Sequence, residues 1–186
     1  MRWIVRSGLI LIALTAVRAA VRSSPPPPLP VPAASSIVIP VAGACLDHVR
    51  SEFNDWRGNH RHHALDILAP RGTPVVAATD GRIRKLLTSR AGGLTIYEFD
   101  PTQTLVYYYA HLDHYAAGLQ EGDEVRAGDV IGYVGTTGNA PPNTPHLHFA
   151  IGVLPPGKQW WKGQAIDPYP ILRDHGVAAE AGPIAR

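Results

Sequence analysis

One cysteine, Cys45, is all the thiol chemistry the chain holds, so an intrachain disulfide framework and a Cys-rich zinc module are both excluded. Charge is sparse, at 17% of residues, and no Lys/Arg cluster accompanies the formal net charge of +2. A nucleic-acid interface is therefore left without its electrostatic footprint. The N-terminal apolar run, Ser7 to Val17, rises about 16 Å as a helix, against a hydrocarbon core of about 30 Å. No amphipathic helix stands out, although His114–Leu119 has room for one short turn. What the 186 residues do have in quantity is 18 glycines, 18 prolines and nine histidines. Histidine serves metal binding and acid–base chemistry, and a hydrophobic core has little use for it.

The N-terminal run accounts for the charge. Arg2 and Arg6 precede it, Arg18 closes it, and Val17-Arg18-Ala19 places small or modest residues where a signal peptidase needs them. Residues 1–19 are read as a secretory signal, or as an uncleaved N-terminal membrane anchor, and the protein as exported to the periplasm or cell envelope. A membrane is a partner only if that segment is retained. Its removal deletes three arginines and no acid, which takes the chain from +2 to near −1. Residues 20–36 hold six of the prolines and are expected to form an extended, solvated linker. Cys45, behind Val41-Ala42-Gly43-Ala44, is expected to be a buried structural thiol. A single domain is expected over 37–172, with a flexible tail over 173–186.

From Ile37 onward the pattern is one of short β-strands with Gly and Pro punctuation. Thr73–Ala78 and Ile83–Leu87 are expected to pair through a turn at Asp80-Gly81. Leu94–Phe99 and Leu105–His111 are expected to pair around Asp100-Pro101, with further strands at Val130–Val134 and His146–Ile151. The fold class is mainly β, an antiparallel sandwich or partly open barrel.

The histidines fall into place on these strands. In His146-Leu147-His148-Phe149, side chains two apart share a face, so His146 and His148 project together while Leu147 and Phe149 enter the core. Upstream, His62 and Asp66 stand four positions apart, able to converge across a helical turn or where a loop enters a strand. Either pair alone is also compatible with a structural role. Together, two His and one carboxylate make a Zn²⁺ set that leaves a fourth position open for water, as in catalytic sites. In Leu105–His111, strict alternation puts Tyr107, Tyr109 and His111 on one face, with His111 a free imidazole and Tyr109 a phenol donor beside the metal. His60 and His63 are expected to be solvated, and His48, His114 and His175 lack partners at chemical spacing.

These residues resemble a known family, the lysostaphin-type or LytM-like zinc metallopeptidases that cut peptidoglycan peptides. The resemblance rests on His62-His63-Ala64-Leu65-Asp66-Ile67 followed by Ala69–Val75, on Tyr109-Ala110-His111-Leu112, and on Gly135-Thr136-Thr137-Gly138-Asn139 leading to Pro145–Phe149. It covers roughly residues 37–172. It implies His62, Asp66 and His148 as ligands of one Zn²⁺ per chain, His111 and His146 as the catalytic pair, and a groove walled by loops above an antiparallel sheet. His146 is the preferred general base, with Tyr109 and Asn139 as substrate or oxyanion candidates. The implied partners are peptidoglycan peptides. The family usually has Gly where this chain has Ala64, a mild exchange if the backbone there avoids positive φ. All five positions being filled favours an enzyme over the alternative, a non-catalytic peptidoglycan-binding module or an activator of a separate amidase.

Overall fold

The computed structural model describes residues 37–46, 49 and 51–179. The expected signal or anchor (1–19), the Pro-rich linker (20–36), His48 and the final residues 180–186 lie outside the described residues. Among the described residues, no helix is long and apolar enough to cross a membrane.

The chain opens with β1 (Ile37–Val38) and a small hairpin, β2 (Trp56–Arg57) with β3 (His60–Arg61). Next come β4 (Leu65–Leu68), β5 (Pro74–Val76), β6 (Gly81–Ser89), β7 (Gly93–Phe99) and β8 (Leu105–Tyr115). They are followed by β9 (Glu124–Val125), β10 (Val130–Val134), β11 (His146–Val153) and β12 (Gln164–Ile166). Helix α1 (Pro168–His175) and β13 (Gly176–Val177) complete the described chain. An antiparallel sheet runs β12-β11-β8-β7-β6-β9 and stays open at both ends. β4 also pairs along β11, and β10 bridges β8 to β5.

Alternation is what gives this sheet one wet and one dry face. On β11, Leu147, Phe149 and Ile151 are fully buried, and on β4 Leu65 and Ile67 are too, leaving His146, His148 and Asp66 on the other side. The β7–β8 hairpin forms where expected. Asp100 Oδ1 accepts from the N–H groups of Thr104 and Leu105 at 2.7 and 2.6 Å, an Asx-type closure of the turn.

The turn at Asp80-Gly81 does not join a hairpin. β5 pairs with β10, and β6 with β7 and β9. The Asp80 carboxylate accepts from Ala127 N at 2.9 Å, tying the connection to a distant loop instead of closing it on itself. Cys45 is exposed, because a tight turn (Ala44 N to Val41 O, 3.1 Å) swings it outward and Leu46 takes the buried place. The segment expected to fray from residue 173 instead completes α1 and then adds β13 in parallel to β1. Asp167 caps that helix by accepting from Tyr169 N at 2.9 Å, Pro168 occupies its first turn, and Leu172 is buried.

Candidate metal centre

Three strands deliver the site. His148 on β11 sits opposite Asp66 on β4 and opposite Ala110 on β8, so register alone brings a histidine and a carboxylate together. His62 arrives from the loop ahead of β4, where its N–H donates to Asp55 O at 2.9 Å and that of His63 to Phe53 O at 2.9 Å. The loop thus enters a strand, and no helical turn is involved. The left-handed residue in this bend is His63 (φ 54°), and Ala64 beside it is buried without needing positive φ. The alanine is therefore compatible with the backbone.

His62 Nε2 lies 3.0 Å from Asp66 Oδ1 and 3.1 Å from His148 Nδ1, and His148 Nδ1 lies 3.0 Å from Asp66 Oδ1. Ligands on a tetrahedral Zn²⁺ with bonds near 2.1 Å are roughly 3.4 Å apart. Two imidazole nitrogens and one carboxylate oxygen at this spacing form a set that fits such an ion. Burial alone would raise the Asp66 pKa, yet hydrogen bonds and charge from His148 and His62 outweigh it and hold the carboxyl well below the usual range. His148 is lowered, by burial first, against the pull of Asp66. A deprotonated carboxylate and neutral imidazoles are the forms a metal requires.

His146 and His111 face this triangle with their rings 4.9 Å apart. His146 Nδ1 donates to Thr144 O at 2.8 Å and His111 Nδ1 to Thr137 O at 2.8 Å. A carbonyl only accepts, so both rings carry their proton on Nδ1 and turn an Nε2 lone pair toward the centre. His146 Nε2 is 3.8 Å from Asp66 Oδ1. Burial pushes the His111 pKa down to about 4, which keeps that ring neutral at ordinary pH.

His111 reaches the site through an irregularity that alternation does not foresee. β8 carries one extra residue opposite the Leu94–Ile96 stretch of β7, and His111 adopts φ 61° there. A bulge of this kind re-aims side chains beyond it. Consequently Tyr109 does not stand beside the metal set. It is fully buried on the core face, donating to Glu98 Oε2 at 2.5 Å and accepting from Ala78 N at 2.9 Å. The oxyanion assignment to Tyr109 is overturned by that geometry. The tyrosine on the wet face is Tyr108, edge-on to His148 at 6.0 Å. Asn139 is exposed in the loop after β10, its backbone N–H bonded to Ala91 O at 2.9 Å, and the same loop supplies the Thr137 carbonyl that anchors His111.

Of the other described histidines, His60 and His63 are solvated as expected, whereas His114, for which no partner was expected, has its Nδ1 2.9 Å from Asp113 Oδ2. His60, His63, His114 and His175 are exposed, with His114 stacked on Tyr133. Trp160 packs on Tyr97 while Trp161 is 60% exposed. Sequence reasoning missed Arg57, whose Nη2 lies 3.1 Å from Asp66 Oδ2. An arginine in an exposed-looking hairpin gives no signal of such a reach. A groove lined by Arg82, Arg84, Asp100 and Lys158 contains none of the cluster residues, so it is side-chain chemistry that marks the site.

The sequence profile of peptidase family M23 matches residues 60–168, which span all five histidine and aspartate positions. The L-Ala–D-Glu endopeptidase of Bacillus subtilis is 37% identical over 132 residues, covering 67% of this chain and 39% of the relative. The DD-carboxypeptidase/endopeptidase Mpg of Neisseria meningitidis serogroup B is 35% identical over 120 residues, covering 62% of this chain and 23% of the relative. The chain thus spans well under half the length of either. Among solved structures, the catalytic domain of lysostaphin from Staphylococcus simulans superposes with a TM-score of 0.54 at 29% identity, covering 72% of this chain and 89% of that one.

Proposed function

The chain belongs to peptidase family M23, and from that premise we propose that it is a zinc-dependent endopeptidase hydrolysing peptide bonds in peptidoglycan cross-links or bridges. The observation that carries the reading is the His62–Asp66–His148 triangle faced by two imidazoles whose Nε2 lone pairs turn inward. A Zn²⁺ ion held by His62 Nε2, Asp66 Oδ1 and His148 Nδ1 would supply Lewis-acid polarisation of the scissile carbonyl.

The protein's own groups handle the protons. His146 Nε2 takes one proton from the attacking water as general base and later returns it to the leaving amine. His111, neutral and with its only N–H committed to Thr137 O, acts as the second acceptor and orients the same water. Two inward acceptors match the two hydrogens of one water. The two relatives are named for different bonds, L-Ala–D-Glu for one and DD for the other, and the loops around the site decide among them here. Peptidoglycan lies outside the cytoplasmic membrane, which agrees with export directed by residues 1–19.

A non-catalytic envelope module would have no use for five intact positions. The test is release of muropeptides from purified peptidoglycan, read by mass, for wild type, His62→Ala and His146→Ala. Equal release by all three would refute the enzyme, and the product masses identify the bond.

A further inference from the structure

The two oxygens of Asp66 have different partners. Oδ1 faces His62 Nε2 and His148 Nδ1, each at 3.0 Å. Oδ2 turns away and accepts from Arg57 Nη2 at 3.1 Å, and the same Nη2 binds Glu52 Oε2 at 2.5 Å. Arg57 is the last residue of β2, beside the Gly58 turn (φ 67°), and its hairpin is held from several sides. Arg61 lies 4.2 Å over the Trp56 ring and also donates to Asn54 O, and His62 N donates to Asp55 O at 2.9 Å. The guanidinium position is therefore fixed by the hairpin and by Glu52 before Asp66 is considered.

We propose that Arg57 is a positioning residue that holds Asp66 Oδ2 out of the metal's coordination sphere, so that Asp66 binds through Oδ1 alone and the open position survives. The inference rests on the reading of His62, Asp66 and His148 as metal ligands. A free carboxylate chelates readily through both oxygens, and a chelating Asp66 would fill the position that the attacking water needs. Outer partners that orient a ligand in this way set metal affinity as well as activity.

Two rival accounts of the contact predict different outcomes. As a fold-stabilising ion pair it would be weak, because the Arg57 side chain is 44% exposed and such pairs add little. As a purely electrostatic neighbour, a cation beside a cation site repels the ion, so deleting the charge would tighten binding. Positioning predicts the opposite sign.

The experiment uses the full chain and measures Zn²⁺ affinity by chelator competition, the visible absorption of the Co²⁺-substituted protein, and the melting temperature of the metal-free form. Arg57→Gln is expected to weaken Zn²⁺ binding by roughly 10- to 100-fold. It should also lower the Co²⁺ band intensity as coordination number rises, with metal-free melting close to wild type. Arg57→Lys, which keeps the charge but offers a point donor in place of a fork, should restore part of the affinity. Wild-type affinity and Co²⁺ spectrum in Arg57→Gln, or tighter binding, would overturn the proposal. Should Arg57→Gln fail to fold, Arg57→Lys decides: weaker Zn²⁺ binding with wild-type metal-free melting supports it, and unchanged affinity overturns it. Wild-type Zn²⁺ affinity in His62→Ala would instead remove the ligand reading on which the inference stands.

Discussion

His111 and Tyr109 lie two residues apart on β8 and face opposite sides of the sheet. His111 meets His146 across the wet face, while Tyr109 is sealed in the core against Glu98 and Ala78. The bulge between them turns two positions that strict alternation would place on one face to opposite faces, so one strand serves both the site and the core.

Tyr109→Phe tests the division directly. The substitution removes the donor to Glu98 and the acceptor for Ala78 N, leaving both buried groups unpaired. A loss of about 1–3 kcal/mol in unfolding free energy is expected, with kcat for muropeptide release unchanged below the melting transition. A fall in kcat comparable to that of His146→Ala would restore Tyr109 to the site.

Glu98 gives the fold a pH dependence. Burial raises its pKa from about 4.5 to about 8, against the hydrogen bond from Tyr109, and its Oε1 is buried without a partner. The folded state therefore binds a proton that the unfolded chain releases at lower pH. The stability this contributes is full below about pH 4.5 and is lost as pH rises through about 8. Denaturant titrations of the metal-free protein between pH 5 and 9 should show wild type losing stability that Glu98→Gln keeps. Parallel curves would refute a protonated Glu98. Asp66, shifted downward, contributes in the opposite sense and only in acid, below its ordinary value of 3.8, so the two windows do not overlap.

The parts of the site legible in the sequence are those set by local period. His146, Leu147, His148 and Phe149 obey strict alternation, so their faces follow from order alone. His62 and Asp66 announce a metal pair by type and spacing, although only the fold shows the loop entering β4. His111 escaped the face argument because a single inserted residue reverses parity. Asp80-Gly81 misled because hairpin chemistry is local, whereas the partner of β5 is β10, more than fifty residues on. Helix α1 carried a signal that was passed over, Asp167-Pro168 as cap and first turn. Arg57 carried none, since its role depends on where a hairpin lands.

The two inward imidazoles should be separable from metal binding. His146→Ala is expected to retain Zn²⁺, because the ligand atoms belong to other residues, and to lose about 10²–10⁴ in kcat as a general base. His111→Ala should also retain Zn²⁺, with a smaller loss if it only orients water. The double variant should fall short of the product of the two, since both act on one water. Multiplicative losses, measured by single-turnover hydrolysis with zinc content determined in parallel, would show that they act independently.

Thr137 links the core to the orientation of His111. Its Oγ1 accepts from Leu94 N at 3.0 Å and donates to Leu112 O at 2.7 Å, stitching the loop after β10 to β7 and β8 at the Leu94–Leu112 pair that borders the bulge. Its carbonyl is the acceptor that fixes the His111 tautomer. Thr137→Val keeps the shape and removes both side-chain bonds, so about 1–2 kcal/mol of stability should go. The loosened carbonyl should let His111 lose its inward Nε2 in part of the population, and kcat should fall while Zn²⁺ affinity holds. Thr137→Ser retains the hydroxyl and should recover most of the kcat. Recovery of stability without recovery of kcat would mean that the carbonyl is held by the backbone alone, through Asn139 N to Ala91 O at 2.9 Å, and that the hydroxyl has no part in setting the imidazole.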